Sequence, residues 1–251
     1  MSGHSKWAKI KHAKGAADAK RGAAFTKITR EITTAAKEGG GDPNTNPRLR
    51  TAIARARTIN MPSSNIENGI KKGTGELPGV VYESFTFDAY AQGGVALFIE
   101  GLTDNKNRTT AEVRNILNKK NGSLASPGST AFLFNKKGLI VVEAKAIAED
   151  QLMDIVLEAG AEDMSTQGDV YEITTPPAVL EAVRSALEAK KVAIKSAEVT
   201  MLPTTTVKVA GVNEVKTVLG VIEALEDYED VQNVYANFDI SDEDMAAATA
   251  E

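Results

Sequence analysis

Gly138-Leu139-Ile140-Val141-Val142-Glu143 is the stretch on which the fold turns. Its short apolar centre reads as a buried strand. The segments after it alternate in a recognisable order. Residues 150–159 have helical spacing, 161–165 and 169–174 read as two short strands, 177–190 as a helix opened by proline, and 193–201 as a last strand. That order, β-α-β-β-α-β, is the ferredoxin-like unit. On its N-terminal side, residues 80–88 and 95–101 read as a hairpin across Gln92-Gly93-Gly94. A helix follows, with Val113, Ile116 and Leu117 as its inner face and Gly122 as its stop. On the C-terminal side only a helix (211–225) and a strand (230–237) remain, too little for a domain. Their simplest home is with residues 80–125, so the chain leaves one domain, builds another and returns.

The expected class is therefore α+β with three domains. Residues 1–78 form a basic helical domain with a flexible arm. Residues 79–134 with 206–240 form a discontinuous α/β domain, residues 135–205 the inserted ferredoxin-like domain, and residues 241–251 an acidic tail. That tail is read as solvated and fraying, because the last 29 residues hold ten carboxylates and no Lys or Arg.

The head is built from Lys, Ala and Gly. Residues 1–24 have few large apolar groups, Trp7 and Ile10 among them, and read as an arm that orders only partly. Phe25, Ile28, Ile32, Ala35 and Ala36 then recur at helical spacing until Gly39-Gly40-Gly41. Asn46-Pro47 reads as an N-cap followed by proline at the first helical position. On that second helix Leu49, Ala52, Ile53, Ala56 and Ile59 share a sector of about 120°, with Arg48 and Arg55 on one flank and Arg50 and Arg57 on the other. Pro62 stops it, and Ser64 with Glu67 reads as a capping box for a third helix closed by Gly73. The connection over residues 39–46 is too long for the tight turn of a helix-turn-helix.

Charge separates the two halves. Residues 1–75 hold fifteen basic and five acidic side chains, a net of +10, whereas residues 76–251 carry a net of −15. Local ion pairs cannot neutralise the head, and a cationic head on an anionic body attracts nucleic acid. The expected phosphate contacts are Lys6, Lys9, Lys11, Lys14, Lys20, Arg21, Lys27, Arg30, Arg48, Arg50, Arg55 and Arg57, with Trp7 as a stacking ring or an anchor of the arm. Lys106 and Arg108 add a second candidate contact. They lie beside the start of a helix whose capping box is read as Thr109 with Glu112, where free N–H groups favour anions.

Several chemistries lack their residues. The chain has no cysteine, and its only histidines are His4 and His12, so no metal site is expected. There is no Walker A or G-x-S-x-G motif. No cofactor, small-molecule substrate or enzyme activity is expected. The longest clean apolar run, residues 94–99, is far below membrane-spanning length, and the N-terminus has no apolar signal region. A cytoplasmic monomer is the expectation.

The head also carries a resemblance. Gly3-His4-Ser5-Lys6-Trp7, Ile10-Lys11-His12, Asp18-Ala19-Lys20-Arg21, Phe25-Thr26-Lys27 and Arg30-Glu31-Ile32 resemble the opening of the YebC/PmpR family. So do Asn46-Pro47-Arg48-Leu49-Arg50, Asn60-Met61-Pro62, Asn65-Ile66-Glu67, Lys72-Gly73 and, further on, Thr103-Asp104-Asn105 and Asn107-Arg108-Thr109. The resemblance implies three domains and no enzyme activity. It implies a nucleic-acid-binding regulator of gene expression, foremost a DNA-binding transcriptional regulator. The alternative it leaves open is a ribosome- or ribosomal-RNA-associated translation factor, because a related mitochondrial branch activates translation of cytochrome c oxidase.

Overall fold

The computed structural model describes residues 17–249. Chain contacts divide it into two compact units, Phe132–Thr206 and the remainder, in which the head packs with the flanking α/β segments.

The head is three helices: α1 (Ala17–Gly39), α2 (Pro47–Thr58) and α3 (Ser63–Thr74). Helix α1 starts inside the segment expected to be an arm. Ala and Lys are strong helix formers, so a stretch poor in core residues still extends a helix that is anchored further along. The Asn46 side chain accepts from the Leu49 N–H at 3.0 Å, and Pro47 occupies the first turn, as expected. Ile32, Ala35 and Ala36 of α1 meet Leu49, Ala52, Ile53 and Ala56 of α2 and Met61 and Ile66 beyond it in one core.

Two details of α3 correct the sequence reading. Its N-cap is Pro62, with no side-chain cap, so the Ser64–Glu67 box does not form. It runs through Gly73 and ends at Gly75, which takes the left-handed conformation (φ 83°). Gly73 is instead a point of close approach: a Cβ there would lie 2.4 Å from the Thr33 carbonyl oxygen and 2.7 Å from Ala36 Cβ.

The rest of this unit is a four-stranded antiparallel sheet in the order β3-β1-β2-β9, from β1 (Glu83–Tyr90), β2 (Ala96–Thr103), β3 (Ser123–Leu124) and β9 (Val231–Ala236). Helices α4 (Lys106–Lys119) and α7 (Val212–Asp227) bury Val113, Leu117, Val218, Ile222 and Leu225 against Leu97 and Ile99. Short strands β8 (Val207–Lys208) and β10 (Phe238–Asp239) pair in parallel. The described part of the acidic tail is helical. Helix α8 (Asp242–Thr249) buries Met245 and packs Ala248 against the same core, which Ile240 before it also joins, so three apolar side chains hold a segment whose charge suggested a solvated tail.

The inserted unit contains β4 (Phe134–Glu143), α5 (Glu149–Glu158), β5 (Asp163–Gln167), β6 (Val170–Thr175), α6 (Leu180–Ala189) and β7 (Ile194–Pro203). All pairings are antiparallel in the order β5-β6-β4-β7, the ferredoxin-like arrangement. Ile140, Val142 and Ile173 of the sheet pack on Leu152, Val156, Val183 and Leu187 of the helices.

Candidate nucleic-acid interface

The head's basic residues divide by what their cations meet. Lys6, Trp7, Lys9, Lys11 and Lys14 lie outside the described residues; Lys20 and Arg21 sit on α1, but their side chains also lie outside them. Among the rest, the strongest arrangement is one the sequence did not suggest.

Asp230, in the turn before β9, is a buried carboxylate on which both halves of the unit converge. Arg30 of α1 donates to its Oδ1. Arg108 of α4 donates to Oδ2 at 2.9 Å, the Thr109 hydroxyl at 2.6 Å and the Tyr228 hydroxyl at 2.9 Å. Burial pushes the Asp230 carboxyl up, but the donors Thr109, Arg108, Arg30 and Tyr228 outweigh it and hold the group well below the ordinary carboxylate range. Arg30 also donates to the Glu229 carbonyl at 2.9 Å and to its side chain at 2.8 Å, and lies 5.3 Å from the centre of the Tyr82 ring. One turn earlier on α1, Lys27 donates to the Glu226 carbonyl. A strip of α1 thus docks on the end of α7.

This geometry corrects two expected phosphate contacts. The Arg30 side chain is only 10% exposed and faces a carboxylate 2% exposed, so it holds the head in place and is closed to a phosphate. Arg108 is half exposed, but its guanidinium bridges Asp104 and Asp230, and the hydrogen bonds it donates to Asp230 and Asp104 raise its already high pKa. The helix start beside it is also occupied. Asn105 is the N-cap of α4 and accepts from the Arg108 N–H at 3.0 Å, which displaces the expected Thr109–Glu112 box; Thr109 is buried at the junction. Lys106, in the first turn, remains exposed.

On α2 the two flanks differ. Arg48 reaches across to α1, donating to Glu31 at 2.8 Å and to Glu38. The hydrogen bond it donates to Glu31 outweighs desolvation and raises its pKa. Glu31 and Glu38 are two of the head's five acids, and both are taken up by this one arginine. On the other flank Arg50 and Arg57 stand one heptad apart and exposed; Arg50 donates to the carbonyls of Pro43 (3.2 Å) and Asn44 (3.5 Å). Arg55 is also exposed, as are Lys71 and Lys72 at the end of α3, which are not among the expected phosphate contacts.

Comparison with known proteins places this architecture. The TACO1/YebC N-terminal domain matches residues 5–76, and the TACO1/YebC second and third domains match residues 82–238. The chain belongs to the TACO1/YebC family. A relative in Geobacter sulfurreducens is 53% identical over 98% of both chains. One in Natranaerobius thermophilus is 53% identical over 96% of this chain and 98% of its own. Both are called probable transcriptional regulatory proteins. The crystal structure of a conserved hypothetical protein from Aquifex aeolicus is similar with a TM-score of 0.78 at 44% identity, covering 90% of this chain and 93% of that one.

In this TACO1/YebC chain the Asp230 junction joins segments of both family regions. Its partners include Arg30, Thr103, Arg108 and Thr109, all quoted above for the resemblance, whereas Asp230 itself went unnoticed among ten acidic residues near the C-terminus. Among the described residues no helix is long and apolar enough to cross a membrane, and no group of three or more His, Cys, Asp or Glu side chains is placed to hold a metal ion.

Proposed function

We propose that this chain is a non-enzymatic, nucleic-acid-binding regulator of gene expression that acts on duplex DNA as a transcriptional regulator. One observation carries the reading: Glu31 and Glu38 are consumed by Arg48, while Arg50, Arg57, Lys71 and Lys72 stay exposed on α2 and α3. An uncompensated cationic surface on an anionic protein attracts a polyanion and confines it to that surface. The relatives' names point the same way.

The test is binding of the full chain to chromosomal duplex fragments over a salt series, with ribosomes from the same cells as competitor. The variant reverses Arg50, Arg57, Lys71 and Lys72 to Glu and leaves Arg48 and Arg30 in place, because reversing those two would break internal ion pairs. Binding to duplex that ribosomes do not strip, lost in the variant, supports the reading. Ribosomes that take the protein from DNA through the same residues would establish the translational role instead. Equal binding by the variant removes the head as the interface.

A further inference from the structure

We infer that α3, which like α2 packs on α1 and follows α2 through a fixed turn, is the helix that enters the major groove of duplex DNA; the inference rests on the function proposed above. The connection between them is four residues, 59–62, and its geometry is locked at every step. Asn60 takes the left-handed conformation (φ 56°). Its N–H donates to the Arg57 carbonyl at 3.0 Å and the Met61 N–H reaches the Ala56 carbonyl at 3.0 Å, which closes α2 in a Schellman motif. The Met61 side chain plugs into the head core, and the Pro62 carbonyl accepts from the Asn65 N–H at 2.9 Å to begin α3. The turn therefore fixes where α3 begins relative to α2.

Helix α3 is also held by its inner face. Gly69 and Gly73 lie against α1: a Cβ on Gly69 would come within 3.0 Å of Ile32 Cγ2, and the Thr33 hydroxyl donates to the Gly69 carbonyl at 3.2 Å. With Ile66 buried beside them, the opposite face presents Ser64, Asn68 and Lys71, flanked by Asn65, Glu67 and Lys72, all exposed. That face has no large apolar group to seat a protein partner. It has amides, which pair with the two major-groove atoms of adenine, a carboxylate able to accept from cytosine, and lysines for phosphate or guanine. Twelve residues make a rod of about 18 Å, long enough to lie in a groove about 12 Å wide. Arg57, at the end of α2, supplies a phosphate contact beside it.

The experiment selects preferred sites for the full chain from a random duplex pool, then compares affinity for the selected site and for random duplex. Asn68→Ala is expected to cut the preference for the selected site about tenfold, the loss of one base contact, and to lower affinity for random duplex far less. Lys72→Ala lowers both affinities together, and Lys190→Ala in the inserted unit changes neither. Asn68 is exposed, so its variant keeps the native thermal transition. A chain that binds duplex without any preferred site, or a preference unchanged in Asn68→Ala and in Asn65→Ala, overturns the assignment of α3 but leaves the proposed function standing. A chain that binds no duplex overturns both.

Discussion

Arg30 and Arg57 have the same side chain on neighbouring helices of one small domain, yet they do opposite work. Arg30 is enclosed by Asp230, Glu229 and the Tyr82 ring, and ties the head to the α/β segments behind it. Arg57 projects from α2 into solvent. Positive charge therefore has two placements in this head: an inner set that joins elements, and an outer set that faces solvent. A buried cation is strongly tied to its counterion because neither can return to water, whereas an exposed one costs little to remove and acts through its field. Substitutions should separate the sets, the inner ones changing stability and the outer ones changing salt-dependent binding.

The largest effect is expected at Asp230. Asp230→Ala leaves Arg30 buried without its main counterion and strips Thr109 and Tyr228 of their acceptor. Such a loss costs about 3–5 kcal/mol, read as a lower urea midpoint. Replacing Arg30 by Met in the same chain should recover part of it, since an apolar pair removes the stranded charge. The carboxyl is held below its ordinary range in the folded chain, so its stabilisation is complete above about pH 4 and drains away as pH falls further. Asp88 adds to the same acid loss: burial raises it, but hydrogen bonds from Thr130, Gly128 and Ala131 lower it overall. Asp230→Asn should therefore flatten the fall of stability below pH 4. An equally steep fall in that variant would move the acid sensitivity elsewhere.

Next comes Gly73→Ala. The added methyl meets the Thr33 carbonyl, which cannot move without disturbing α1, so a cost of about 1–3 kcal/mol is expected. An unchanged thermal midpoint would show that α1 and α3 can slide apart. Asn60→Val is expected to cost about 1–2 kcal/mol, because a β-branched residue is strained in the left-handed region that Asn tolerates. Asn60→Gly should stay near the native midpoint, and equal losses in the two variants would point to the Asn60 side chain rather than its backbone.

The two sets of cations also mark where the sequence was legible. Features written in adjacent residues were readable. Asn46-Pro47 opens α2 because the cap and the N–H that donates to it lie three residues apart, and the ferredoxin-like order follows from apolar runs of strand and helix length. The fate of Arg30 was not readable, since its partner lies 200 residues away and local spacing carries no trace of it. The same holds for Gly73, where glycine marked a helix crossing and resembled a stop, and for Met245, whose burial overrides the charge around it. At the α2–α3 turn, Pro62 was read only as a stop. Asn60 and Met61 had already closed α2, which left Pro62 to open α3.

The smallest effect on stability, and the sharpest on binding, belongs to the outer set. Arg57→Glu alters an exposed side chain, so stability should stay within about 0.5 kcal/mol of the native value. Each phosphate contact releases roughly one counterion, so the plot of log affinity against log salt should lose about one unit of slope for each contacting residue reversed. Arg57→Glu and Arg50→Glu together should lose about two, whereas Arg48→Glu should also destabilise the head, because Glu31 and Glu38 would then face a third carboxylate. Binding and stability are uncoupled along one flank of α2 and coupled along the other. If Arg57→Glu lowered stability as much as Arg48→Glu, or if neither changed the salt slope, the division into inner and outer cations would fail at the helix where it is drawn most clearly.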